Sequence, residues 1–207
     1  MSKVADQKVR ARSILKALKK LIPDAGMMLR YSSDWECLVA VMLSAQCTDV
    51  MVNKVTEKLF KKYRVLDDYL RAKHREFEKD IYSTGFYRNK TKNILAAAKM
   101  IKNDFGGEVP NTMSEILRIP GVARKTASVV LGNCFGVVEG IAVDTHVKRL
   151  SRLLGLTKQS DPNKIERDLM KLFDRKDWFL VTYYLIEYGR RYCPAKRHNH
   201  IQCPLTP

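Results

Sequence analysis

The sequence lacks any apolar stretch long enough to cross a bilayer. Its longest apolar run, Trp178 to Ile186, contains Thr182 and falls far short of the ~20 residues a spanning helix needs. An apolar core is also missing near the N-terminus, where Lys3, Asp6, Lys8 and Arg10 stand, so no secretory signal is expected. Cysteine is sparse: five residues, an odd number at irregular spacing, argue against a disulfide framework. Cys37, Cys47 and Cys134 lie in apolar stretches that read as helical, as buried thiols of a protein in a reducing cytoplasm. β-branched runs such as Val129-Val130 and Val137-Val138 are too short to build a sheet. There is no internal repeat, long linker or low-complexity tract. Acid is scarce as well: 22 Asp+Glu against 38 Lys+Arg leave a formal charge of +16. A chain this basic is steered to a polyanion, and nucleic acid is the commonest one. At 207 residues it buries roughly 70% of its unfolded surface, enough for one domain or two small ones.

What is present is helical periodicity. Ile14, Leu15, Leu18, Leu21 and Ile22 share a face, and Pro23 ends that helix. Further helices are expected over 34–43, 49–63 (with Asp49 as the cap), 89–103, 113–117, 124–134, 145–154, 162–173 and 178–188. Gly106-Gly107 should stop the one carrying Ile94, Ala97, Ala98 and Ile101. The fold class is all-α.

The chemistry concentrates in Ile119-Pro120-Gly121-Val122-Ala123-Arg124-Lys125-Thr126-Ala127 and in Val143-Asp144-Thr145-His146. A Pro-Gly turn opening a helix presents backbone N–H groups to a phosphate. Pro120 sets φ, and Gly121 removes the side chain that would hold a phosphate away. A bare Pro-Gly-Val reads equally as an ordinary structural corner. Lys125 is a phosphate contact or a nucleophile. The second role requires a lost proton, which neighbouring cations and apolar walls favour; Arg124 and the run Ala127 to Leu131 supply both. Asp144, ahead of Thr-His-Val-Lys-Arg-Leu, is a good N-cap, and a carboxylate there can also stabilise positive charge on a sugar. Lys148, Arg149 and Arg152 form a basic helix face for phosphates or for solvent.

These stretches resemble the endonuclease III family of helix-hairpin-helix DNA glycosylases, whose pattern reads Leu-Pro-Gly-Val-Gly-x-Lys-Thr-Ala and then Val-Asp-Thr-His. The resemblance runs from about Pro23 to about Cys203. Ala123 departs from the family's glycine, and alanine disfavours positive φ. The Gly136–Gly140 loop is one residue longer than its usual counterpart. The resemblance implies that Lys125 attacks C1′ of a damaged nucleotide and that Asp144 is the catalytic aspartate. Leu43-Ser44-Ala45-Gln46-Cys47-Thr48-Asp49 is similar to the family segment whose glutamine fills the gap left by a flipped base. Gly85-Phe86-Tyr87-Arg88-Asn89-Lys90 is similar to its wedge turn, with Phe86 in place of leucine. Gln46 reads otherwise as a helix C-terminal cap, and Phe86 as a core aromatic.

The tail departs most. The family carries a [4Fe–4S] site spaced Cys-x6-Cys-x2-Cys-x5-Cys. This chain has Cys193, then His200 in the second position, then Cys203, and no residue 209. Two thiolates and a histidine are not the usual four thiolates, so no cluster, no bound metal and no cofactor are expected. The tail would be held by packing of Tyr183, Tyr184, Ile186 and Tyr192. Zinc on Cys193, His198, His200 and Cys203 is the alternative, since the ligand types are right.

The expectation is a two-lobed helix-hairpin-helix DNA glycosylase fold. A central six-helix, barrel-like lobe would span 27–138; residues 1–26 and 139–207 would form the second lobe, placing Asp144 across a cleft from Lys125. By resemblance the activity is that of a DNA glycosylase and AP lyase acting on oxidised pyrimidines or abasic sites in double-stranded DNA. A bacterial, nucleoid-associated monomer with no membrane contact is implied. The DNA-contacting set is Gln46, Phe86, Pro120, Gly121, Val122, Ala123, Arg124, Thr145, His146, Lys148 and Arg149. The rivals are a non-catalytic helix-hairpin-helix DNA-binding module and a glycosylase/lyase for a different lesion.

Overall fold

Glycine and short polar caps punctuate this chain, and the helices begin and end at them. The computed structural model describes residues 3–205, and the described residues are helical with no strand. The α-helices are α1 (Lys3–Leu21), α2 (Asp34–Ser44), α3 (Asp49–Lys62), α4 (Leu66–Arg71), α5 (His74–Asp80), α6 (Tyr87–Asp104), α7 (Met113–Ile116), α8 (Arg124–Phe135), α9 (Thr145–Leu153), α10 (Pro162–Leu172) and α11 (Trp178–Arg191). Short 3-10 turns cover Tyr82–Thr84, Arg175–Asp177 and His200–Gln202. The cap of α3 is Thr48, not Asp49: the Thr48 hydroxyl accepts from the Met51 N–H at 3.3 Å, and Asp49 sits in the first turn. Its negative charge still complements the helix N-terminus there. Gly106 and Gly107 end α6 as expected, both at positive φ, with the Gly107 N–H returning to the Ile101 carbonyl at 2.9 Å. Helices α4 and α5 were not anticipated; at six and seven residues they are too short for a periodic signature.

Two compact units make up the chain: residues 28–137, and residues 1–27 together with 138–207. In the first, α2 is the centre. Every residue from Trp35 to Leu43 is buried, and α3, α6 and α8 pack on it. Its start is fixed by a reciprocal cap: Ser33 Oγ accepts from the Glu36 N–H, and the Glu36 carboxylate accepts from the Ser32 N–H at 2.7 Å. The Trp35 ring of α2 meets Tyr69 edge-on, and Tyr63, Tyr69 and Phe77 pack tilted against one another, with ring centroids 5.0–5.8 Å apart. Cys37 is buried in α2, whereas Cys47 lies in the turn after it and is only half-buried. Cys134, a free thiol like Cys37, is also only half-buried; its hydrogen bond with Cys37, together with burial, pushes it well above the ordinary thiol range.

The second unit packs α1, α9, α10 and α11 around Leu18, Ile22, Leu150, Leu154, Ile165, Leu169, Leu185 and Tyr188. Long-range polar ties close it. Arg10 Nε donates to the Leu154 carbonyl at 2.7 Å, and Arg191 clamps Asp24 bidentately at 2.9 Å. No described helix is long and apolar enough to cross a membrane.

Candidate functional site

The hairpin between α7 and α8 is built as its residues require. The Val122 N–H closes a turn onto the Ile119 carbonyl at 3.1 Å, and Gly121 takes φ +80. A Cβ on Gly121 would stand 2.7 Å from the Asn93 Cβ on α6, so glycine is needed for packing as well as for conformation. Val122 is buried, and its N–H is engaged in the turn. Ala123 is the N-cap of α8 at φ −92, ψ 166. That is extended backbone open to any residue, so alanine in the glycine position carries no conformational penalty. It also supplies no capping oxygen. The first turn of α8 then holds Arg124 and Lys125, both exposed, and no acid. Two cations at a helix N-terminus oppose the dipole by about 0.3–1 kcal/mol each, a local cost that an incoming anion reverses.

Two further loops of the same unit carry the chain's two non-glycine residues at positive φ among those described. Gln46, at φ 54, follows the C-cap Ala45 of α2 and is exposed, so it does not cap the helix. Phe86, at φ 48, precedes α6 and is 61% exposed, which excludes a core role. A left-handed backbone costs about 1–2 kcal/mol at such residues, and it persists only where surroundings enforce it. Lys90 connects the two loops at their roots. Its buried ammonium donates to the Leu43 carbonyl at 2.7 Å and to the Thr84 carbonyl at 2.8 Å, tying the root of one loop to the root of the other. Burial pushes its pKa below the ordinary lysine value. Lys90 ends the Gly-Phe-Tyr-Arg-Asn-Lys motif, so its position was visible in the sequence, but its role was not.

In the other unit, Asp144 caps α9. Its Oδ1 accepts from the Val147 N–H at 2.8 Å, and the side chain is half-buried. Thr145 is exposed, and Lys148 is half-exposed. His146 lies against α11, where a Cβ on Gly189 would be 2.7 Å from its Nδ1. Arg149 does not extend along the expected phosphate face: its guanidinium donates to the Cys193 carbonyl and lies 3.6 Å from the Cys193 sulfur. Arg152 is exposed and, with Arg149, Lys158, Lys196 and Arg197, lines a cavity of about 700 Å³.

The expectation of a metal-free tail is overturned. Cys193, His198, His200 and Cys203 bring one donor atom each to within 4.8 Å of one another, the arrangement of a metal site. The aromatic support also differs from expectation. Tyr188, not Tyr183, receives the Leu205 N–H at 3.1 Å and stacks on Tyr192, while Tyr183 pairs with Phe179. Spacing along the chain does not encode this convergence: it arises because the tail folds back, with the Leu205 N–H on the Tyr188 hydroxyl and the Cys203 thiol on the Tyr192 carbonyl.

Comparison with known proteins agrees with the hairpin. Residues 39–175 match the HhH-GPD superfamily of base excision DNA repair proteins. The chain is 50% identical to the endonuclease III of Synechocystis sp., over 100% of this chain and 94% of that protein. It is 46% identical to the endonuclease III of Bacillus subtilis, over 89% of this chain and 84% of the relative. Among solved structures, an endonuclease III trapped as a covalent intermediate with DNA superposes with a TM-score of 0.91 at 43% identity, covering 96% of this chain and 93% of the other. A thermostable thymine-DNA glycosylase, 20% identical with a TM-score of 0.81, shares the fold. The chain belongs to the endonuclease III family.

Proposed function

We propose that Lys125 is the nucleophile of this enzyme and that Asp144 is the carboxylate serving its cationic stages. The chain is a DNA N-glycosylase and AP lyase of base excision repair, acting on double-stranded DNA. The observation that carries the assignment is the first turn of α8: an exposed lysine beside a second cation, at a helix start with no acid and no side-chain cap. The phosphate flanking the damaged nucleotide binds the turn formed by Pro120, Gly121, Ala123 and Arg124. The neutral Lys125 amine attacks C1′, and the glycosidic bond breaks with its electron pair leaving on the base. The carboxylate of Asp144 stabilises the positive charge that develops at C1′. The amine then loses a proton as the sugar ring opens to an imine, the C2′ proton leaves, and the 3′ phosphate is expelled by β-elimination. Gln46 and Phe86 occupy and prop open the gap left by the extruded base, their exposure and enforced backbone suiting insertion. Thr145, His146 and Lys148 at the start of α9 add backbone contacts; Arg149 acts on the tail. Oxidised pyrimidines are the lesion class that the family pattern implies, and chromosomal DNA places the work at the nucleoid.

Borohydride trapping tests the assignment. The protein should be trapped covalently on a duplex with an abasic site or an oxidised pyrimidine. Lys125→Gln should abolish trapping and strand cleavage while duplex affinity changes little. A variant that traps at the parental rate would place the nucleophile elsewhere, and a parental protein that binds but never traps would make the chain a binding module.

A further inference from the structure

The four donors after α11 make more than a cluster of ligand-type residues. Cys203 Sγ stands 3.2 Å from His198 Nε2, and His200 Nδ1 stands 3.7 Å from Cys193 Sγ and 4.0 Å from Cys203 Sγ. A single tetrahedral ion with bonds of about 2.0–2.1 Å to nitrogen and about 2.3 Å to sulfur puts neighbouring donors roughly 3.3–3.8 Å apart. Of the distances observed, 3.7 Å lies within that range, and 3.2 and 4.0 Å lie just outside it, within reach of small side-chain shifts. The surroundings are prepared in the same sense. His198 Nδ1 is 2.8 Å from the Lys196 carbonyl, which can only accept. Nδ1 therefore carries the proton, and Nε2 turns its lone pair toward Cys203, the orientation that a backbone carbonyl gives a metal-bound imidazole. Both cysteines are buried in the apolar core of their unit, and Arg149 places a cation beside the Cys193 sulfur.

The family's [4Fe–4S] cluster presents a different demand. Each of its irons takes its own thiolate, so the four ligands stand around a cage rather than about one point. Here two of the four donors are imidazoles, His200 fills a thiolate position, and all four converge within 4.8 Å. This donor set does not fit a four-iron cage.

We propose that Cys193, His198, His200 and Cys203 hold a single zinc ion in a tetrahedral Cys2His2 site, and that Arg149 joins this site to helix α9. Zinc is favoured by two thiolates with two neutral imidazoles in closed tetrahedral geometry. The two thiols lose their protons to solvent on binding, and their charges balance the ion. The site is structural, because the four side chains leave no coordination position for water. It braces the helix whose N-cap is Asp144 through the hydrogen bond from Arg149 to the Cys193 carbonyl.

Protein prepared under reducing conditions, without a metal-affinity tag or chelator, tests this by elemental and sulfide analysis. One zinc per chain and no acid-labile sulfide are expected. Replacement by Co²⁺ should give the visible ligand-field bands of a tetrahedral thiolate–imidazole centre. His198→Ala and His200→Ala alter side chains outside the core, so they should lose the metal while keeping helical circular dichroism even if Cys193→Ser fails to fold. Arg149→Ala should keep zinc but bind it about 10–100-fold more weakly, as expected for an outer-shell partner. Stoichiometric iron with sulfide overturns the proposal, as does a parental protein that takes up no zinc. Parental zinc affinity in both histidine variants overturns it too.

Discussion

Replacing Lys90 by methionine is the sharpest probe of how the loops of Gln46 and Phe86 are held. Methionine keeps the length and the apolar stem but removes the donor of two buried hydrogen bonds, to the carbonyls of Leu43 and Thr84. Leu43 lies in the last turn of α2, where carbonyls have no helical partner and a cation also complements the dipole. Each carbonyl left unpaired costs about 1–3 kcal/mol, and relief from burying the ammonium offsets part of this. The net loss should be about 2–4 kcal/mol, seen as a fall in Tm of roughly 5–15 °C for a chain of this size. With the tie gone, Gln46 and Phe86 can relax from positive φ, so folded Lys90→Met should bind a lesion duplex more weakly than the parent. The charge adds a second signature. Burial holds Lys90 below its usual 10.5, so the unfolded chain keeps that proton more tightly than the folded one. The stability of the parent relative to Lys90→Met should therefore rise with pH through the window just below 10.5 and level off above it. Denaturant titration across alkaline pH, with duplex affinity measured below the unfolding transition, decides the matter. A loss under about 1 kcal/mol, or unchanged affinity in the folded variant, refutes the reasoning.

Gly121→Ala should cost about 2–4 kcal/mol, combining a left-handed backbone with the crowding against the Asn93 side chain; Asn93→Ala removes the Cγ and Nδ2 at 2.8 and 2.7 Å but keeps the Cβ at 2.7 Å, so it should recover only part of the contact cost and none of the backbone cost; chemical denaturation of the single and double variants checks this. Asp144→Asn keeps a capping oxygen for the Val147 N–H, so stability should change by no more than about 1 kcal/mol while base excision falls by orders of magnitude. Single-turnover excision by folded protein measures it, and parental rates would reduce Asp144 to a cap.

The sequence by itself determined everything that obeys local rules. Pro120-Gly121 makes a turn wherever it stands, Asp144 caps because a short carboxylate before Thr-His-Val can reach back to the N–H groups, and the long helices follow from their apolar periodicity. Even the expected cap, Asp49, lies only one residue from the actual one, Thr48, because both offer an oxygen at a helix start. The tertiary structure decided the rest. A buried amine has no sequence signature of its partners, so only folding showed that Lys90 binds carbonyls 47 and 6 residues away. Arg149 lies on a helix face that looks cationic and solvated, yet its guanidinium meets the Cys193 carbonyl 44 residues on. The tail shows the difference most clearly. Four ligand-type residues within eleven positions fix nothing by spacing alone, because a flexible loop can hold them apart. They converge where the cysteines are anchored in the core and the Leu205 N–H bonds to the Tyr188 hydroxyl, contacts between segments distant in sequence that no local pattern encodes.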